Sequence, residues 1–100
     1  MSYSVELTEA LLDDLFDLHR WIASQADEMV ADGYLDRIHA RMALLAEFPN
    51  RGTPRDELAP GVRSLAFERR ILLLYTVEGS SVVMLRAIGG AQDLASAYEG

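Results

Sequence analysis

The run Val62-Arg63-Ser64-Leu65-Ala66-Phe67-Glu68-Arg69-Arg70-Ile71-Leu72-Leu73-Leu74-Tyr75-Thr76-Val77-Glu78-Gly79-Ser80-Ser81-Val82-Val83-Met84-Leu85-Arg86-Ala87-Ile88 decides the fold. Its apolar residues follow a period of two, interrupted at Glu68-Arg69 and again at Glu78-Gly79-Ser80. It therefore reads as three strands, Val62 to Phe67, Arg70 to Val77 and Ser81 to Ile88. Interruptions this short force consecutive strands to pair antiparallel. The middle strand contains Ile71-Leu72-Leu73-Leu74-Tyr75, apolar at both parities, which predicts a central position with both faces covered.

Upstream of this meander the period is 3.6. Thr8 offers a hydroxyl N-cap, and Leu11, Leu15, Leu18 and Ile22 follow at helical spacing, with Glu9, Asp13 and Asp17 on the opposite, solvated side. Ser24-Gln25-Ala26 reads as a break, and Asp27 caps a second helix whose stripe is Val30, Tyr34, Ile38, Met42 and Leu45. Pro49 and Gly52 end that element. So short a connection predicts an antiparallel helical hairpin, with Gly33 offering close approach and Trp21 partly buried against the sheet. Tyr3 to Leu7 alternates as a short first strand, and Asn50 to Pro60 is a loop rich in proline, glycine and charge. Gly89-Gly90 ends the sheet, leaving a tail with room for a helical turn or two. The predicted fold is α+β, in the order β-αα-βββ. A helical hairpin lies on one face of an antiparallel sheet, in a single domain over residues 1–100.

Composition narrows the chemistry. The chain lacks cysteine, which removes disulfides, thiolate catalysis and zinc-cysteine clusters. All nine basic residues are arginine, and the net charge is −7. The acids concentrate in residues 1–50, whereas six of the arginines fall in residues 51–100. A field of that sign repels a phosphate backbone, so no direct contact with nucleic acid is expected. No basic segment followed by an apolar run opens the chain, and Ile71 to Tyr75 is too short to cross a bilayer, so a cytoplasmic, membrane-free protein is expected. His19 and His39 stand on different helices. Asp36, three residues before His39, leaves that pair short of a metal site. No glycine-rich phosphate loop or nucleophile elbow occurs, and no cofactor is expected.

The residues at the joints carry a resemblance. Leu45-Ala46-Glu47-Phe48-Pro49, then Gly52, Arg55, Glu57-Leu58, Gly61 and Arg63, are similar to the ParE branch of the RelE/ParE toxins. So are Leu74-Tyr75 and the closing run Leu85-Arg86-Ala87-Ile88-Gly89-Gly90-Ala91-Gln92-Asp93. The resemblance implies a type II toxin that is masked by a cognate ParD-like antitoxin in a hetero-oligomer. It also divides the functional possibilities. RelE-like members cut messenger RNA on the ribosome, whereas ParE-like members inhibit DNA gyrase by binding it. A third possibility is a non-toxic antitoxin-binding co-repressor.

Metal-free RNA cleavage needs a base, a cation at phosphorus and an acid for the leaving oxygen. RelE-like nucleases supply these from lysines, arginines and a tyrosine. This chain has no lysine and retains only Arg63, Arg86 and Tyr98 for such a role. Binding is therefore the expected activity, with no catalytic residue. The bland reading pairs Arg63 and Arg86 with Asp56, Glu57 or Glu68 in surface salt bridges. As partner contacts, Arg55, Arg63, Arg69, Arg70, Arg86 and Tyr98 are the candidates, because arginine and tyrosine are favoured at interfaces. Val82 and Met84 join them on the expectation that they lie on the sheet face left open by the helices.

Overall fold

A computed structural model describes residues 2–89 of the chain. The elements are β1 (Ser4–Leu7), α1 (Glu9–Gln25), α2 (Glu28–Leu44), β2 (Thr53–Pro54), β3 (Arg63–Phe67), β4 (Ile71–Glu78) and β5 (Ser81–Gly89). Both helix starts lie where their caps predict. Thr8 Oγ1 accepts from the Leu11 N–H at 3.1 Å, and Asp27 Oδ1 accepts from the Val30 N–H at 2.8 Å. A cap of this kind contributes about 1 kcal/mol. Thr8 also ties its helix to the sheet, its hydroxyl donating to Leu85 O at 3.1 Å and its N–H to Met84 O at 3.2 Å. The break between the helices is tighter than its composition suggests, because α1 continues through Ser24 and Gln25 and only Ala26 and Asp27 remain outside helix.

The strand order is β1-β5-β4-β3-β2, with β4 central as its doubly apolar run predicts. The β3-β4-β5 meander is antiparallel. Two additions make the sheet five-stranded and mixed. β1 joins the free side of β5 in parallel, from Ser4 opposite Ser81 to Leu7 opposite Met84. β2 comes from the loop and pairs with β3 at the other edge, where Pro54 needs no ladder donor on its outer side. The β3–β4 connection is a tight turn closed by the Arg70 N–H on Phe67 O at 3.0 Å. Glu68 and Arg69 both take positive φ in it, 49° and 60°, the mirror-image turn that matches strand twist. Between Leu74 and Tyr75 the register with β5 shifts, leaving Leu85 as an extra residue, a β-bulge.

Two cores result. The larger lies between hairpin and sheet, with Leu11, Ile38 and Leu45 against Leu73, Tyr75, Val82 and Met84. The smaller lies on the opposite face, where Val62, Leu74 and Ile88 are covered by Leu58, Ala59 and Leu85. The loop after α2 is thus a lid on the second face. Fully burying a side chain of this size contributes about 1.5–3 kcal/mol.

Three sequence expectations are corrected. Val82 and Met84 are 0% exposed, beneath the helices and not on an open face. They stand opposite Val77 and Tyr75, which share the hairpin side, and because β5 is apolar at both parities its alternation alone did not reveal which face is inward. Trp21 is 57% exposed, since it stands beside the Leu11–Leu15–Leu18–Ile22 stripe and not on it. At Gly33 an added Cβ would meet only Arg37 Nη1, at 3.9 Å, so no close helix approach depends on this glycine.

Candidate functional site

Arg63 and Arg86, the two described residues of the nuclease set, are held by different parts of the fold. Arg63 leaves β3 toward the segment after α2, where its Nη1 donates to Gly52 O at 2.7 Å and Asn50 O at 3.2 Å. Tyr75 closes the same staple. Its hydroxyl donates to Pro49 O at 2.9 Å and accepts from the Gly52 N–H at 2.7 Å. Burial pushes the Tyr75 phenol above its ordinary pKa, with the Gly52 N–H and the Arg63 charge acting in the opposite sense. Gly52 is required by contact: a Cβ there would sit 2.6 Å from Tyr75 Oη and 2.9 Å from Ser64 O.

Arg86 turns toward α1. Its Nε donates to Asp14 Oδ2 at 2.7 Å and its Nη2 to Asp14 Oδ1 at 3.1 Å, a two-point clamp. Asp14 Oδ2 also accepts the Ala87 N–H at 2.9 Å, satisfying a backbone donor on β5 beyond its pairing with β1. The Asp14 hydrogen bonds hold the Arg86 guanidinium above its ordinary pKa. The partners differ from the acids named by sequence reading. Asp56 accepts from the Gly61 N–H, Glu57 approaches Arg55 at 3.7 Å, and Glu68 pairs with Arg37. Asp14 stands three residues after Leu11 and four before Leu18, on the inward side of α1, whereas Asp13 lies on the solvated side; that helical spacing was the signal that could have found it. Arg55 is likewise internal, its Nε donating to Ser64 Oγ at 2.8 Å and its N–H to Val62 O at 2.7 Å. Tyr98 lies outside the described residues, as does the tail. Among the described residues no group of three histidines or carboxylates is placed to hold a metal ion.

A different arrangement surrounds Tyr34. A groove of about 1080 Å³ runs between the hairpin and the β3–β4 turn, floored by Trp21, Ile22, Val30, Tyr34 and Ile71 and flanked by Arg69 and Arg70. Tyr34 packs edge-on against Phe67 at 5.4 Å between centroids, with the Arg37 guanidinium 5.2 Å from its own ring centre. Arg37 is engaged a second time, donating to Glu68 Oε2 at 2.8 Å and Oε1 at 3.2 Å. Tyr34 is 8% exposed, and its buried hydroxyl has no hydrogen-bond partner among the described residues. Burial raises the phenol's pKa, and the Glu68 carboxylate adds to that shift while Arg70 and Arg37 oppose it, so the group stays a neutral donor. Arg69 and Arg70 form no ion pair among the described residues. Sequence reading placed Tyr34 in the helical stripe, correctly, but periodicity carries no sign that its hydroxyl would be stranded.

Comparison with known proteins identifies relatives of this chain and of its fold. The family described as "ParE toxin of type II toxin-antitoxin system, parDE" matches residues 5–94. Toxin ParE3 of Caulobacter vibrioides is 32% identical over 89 residues, covering 89% of this chain and 88% of that protein. Among solved structures, the chromosomal ParDE system of P. aeruginosa superposes with a TM-score of 0.78 at 24% identity, over 88% of this chain and 96% of that one. The RelBE2 toxin–antitoxin complex of Mycobacterium tuberculosis gives 0.56 at 29% identity, over 89% and 99%.

Proposed function

This chain belongs to the ParE toxin family of type II toxin-antitoxin systems, and from that premise we propose that it acts by binding a protein and performs no chemistry of its own. DNA gyrase is the target that the family resemblance implies, and a ParD-like antitoxin the partner that neutralises it. The observation that carries the non-enzymatic reading is the engagement of Arg63 and Arg86. A cation that stabilises charge on a phosphoryl group must be free to meet it. Here one guanidinium is clamped on Asp14 and the other on two carbonyl oxygens. The absence of lysine and the charge of −7 support the same reading, because a ribosome-directed nuclease gains from positive charge.

A gyrase supercoiling assay run beside a ribosome-primed messenger-cleavage assay tests this directly. Supercoiling is expected to fall with added toxin while transcripts stay intact, and antitoxin is expected to restore supercoiling. Transcripts cut by the wild-type chain but spared by Arg86→Ala or Tyr98→Phe would refute the binding mechanism. Silence in both assays together with normal growth would favour a non-toxic co-repressor.

A further inference from the structure

Among the described residues, Phe48 is the one large apolar side chain that is exposed outside a helix. It is 56% exposed, on a loop that is fastened from behind. Tyr75 Oη accepts the Gly52 N–H and donates to Pro49 O, while Arg63 Nη1 donates to Asn50 O and Gly52 O. The Arg51 N–H closes a turn onto Phe48 O at 3.2 Å. Yet none of residues 47–51 belongs to either hydrophobic core, so the entropy lost in ordering them is offset by no burial of their own. Half-exposed Leu44 stands next to Phe48, its carbonyl accepting the Phe48 N–H at 3.1 Å. Glu47 and Arg51 are exposed and form no ion pair among the described residues, with each other or with a neighbour. Residues 47–51 border an open hollow of about 510 Å³, with room for a partner's side chain beside Arg51. The other exposed apolar groups are mounted differently. Phe16 has the Arg20 guanidinium over its ring, 5.8 Å from the centre, and Met29 is a flexible chain that loses rotamer freedom when held. A fixed aromatic ring beside unpaired charges is the composition of a binding hot spot.

Resting on the reading of this chain as a toxin that acts by binding a protein, we propose that the Phe48 loop is its contact surface for the target, a folded protein offering an apolar socket with a carboxylate on the rim. Phe48 enters the socket with Leu44 at its edge, and Arg51 meets the carboxylate. Glu47, on the same hollow, calls for a donor, so the rim is of mixed sign and not acidic all round. A projecting ring held in place suits a cavity that already exists. A segment that orders only on binding has no such cavity to offer, and this sets the target apart from an extended inhibitor peptide. Tyr75 and Arg63 are positioning residues in this arrangement, since they hold the loop and leave the partner to Phe48 and Arg51.

Growth arrest on induction of the full chain, read beside dose-dependent loss of gyrase supercoiling, tests the proposal. Phe48→Ala is expected to raise the dose for half-inhibition about thirtyfold. Its urea midpoint should stay at the wild-type value, because the ring is exposed. Arg51→Glu is expected to raise the dose about tenfold. Phe48→Leu keeps apolar volume and should fall between wild type and Phe48→Ala. Phe16→Ala removes a similarly exposed ring from α1 and is expected to leave potency unchanged. Tyr75→Phe keeps the buried ring but releases Pro49 O and the Gly52 N–H. At a temperature where that variant remains folded it is expected to lose about fivefold in potency, because the loop is no longer pre-organised. A purely structural role for the staple would move stability alone.

Full growth arrest by Phe48→Ala combined with Arg51→Glu would overturn the proposal and leave the toxin reading intact. A wild-type chain that neither arrests growth nor inhibits gyrase would overturn both. Loss of antitoxin affinity in the same variants, with growth arrest preserved, would give the loop to the antitoxin instead, against the proposal. A loss of potency in Phe16→Ala as large as that in Phe48→Ala would place the contact on the helices, and would overturn the proposal as well.

Discussion

The staple around Gly52 and the groove around Tyr34 each centre on a buried tyrosine, yet they treat its hydroxyl in opposite ways. Tyr75 gives and receives a hydrogen bond, and Arg63 saturates neighbouring carbonyls of the same segment. Among the described residues Tyr34 gives nothing, and the arginines nearby on the β3–β4 turn find no acid. Buried polar groups in native proteins are nearly always paired, so a complete local network signals a structural role. An incomplete one beside an apolar floor leaves a donor that the described residues do not satisfy. Arginine alone therefore says little about function here, because only the state of its partners separates Arg63 from Arg70.

The contrast breaks most sharply at Gly52. Alanine there collides with Tyr75 Oη and the Ser64 carbonyl, and neither is the loose end of a flexible chain. Gly52→Ala is expected to cost about 3 kcal/mol, read from urea unfolding midpoints at unchanged slope. Asp14→Ala comes next. It strands the Ala87 N–H and leaves the Arg86 guanidinium without its clamp, an expected loss of about 2 kcal/mol. Asp14→Ala with Arg86→Ala should recover part of that loss, and strict additivity of the two changes would refute the coupling.

The smallest effect sits between the two regions, at Arg37 and Glu68. The Arg37 hydrogen bond lowers the Glu68 pKa below the usual glutamate value. A depressed folded-state pKa contributes stability that is complete above the unfolded value and disappears as pH falls through the folded one. The gap in melting temperature between wild type and Arg37→Ala should therefore be open at neutral pH and close as the solution is acidified through that window. It should also narrow in high salt, because both side chains are well exposed.

Much of the fold was legible in the sequence. The change of period from 3.6 to 2, the two N-caps and the doubly apolar Ile71–Tyr75 run gave element order, hairpin and central strand. What local pattern does not encode is direction and face. A four-residue strand such as Ser4–Leu7 carries nothing that chooses parallel over antiparallel. Because β5 is apolar at Val82, Val83, Met84 and Leu85 alike, its inward parity emerges only from its register with β4. The candidate site was less legible. Arg69 and Arg70 were within reach of compositional reasoning and the inward side of Asp14 within reach of helical spacing, whereas the partner of Asp14 and the Tyr34 hydroxyl acquire meaning only when residues distant in the chain are brought together.

The turn at Glu68 and Arg69 carries a cost of its own. A left-handed backbone costs a side-chain-bearing residue on the order of 1 kcal/mol, and two in succession stand where asparagine and glycine would rest at ease. Replacing them, by Glu68→Asn with Arg69→Gly, should yield a molecule that melts later, the relief of the backbone exceeding the loss of the exposed Arg37–Glu68 pair. The hairpin tip thus gives up some sturdiness of the whole to hold one carboxylate against Arg37 and one guanidinium beside the groove.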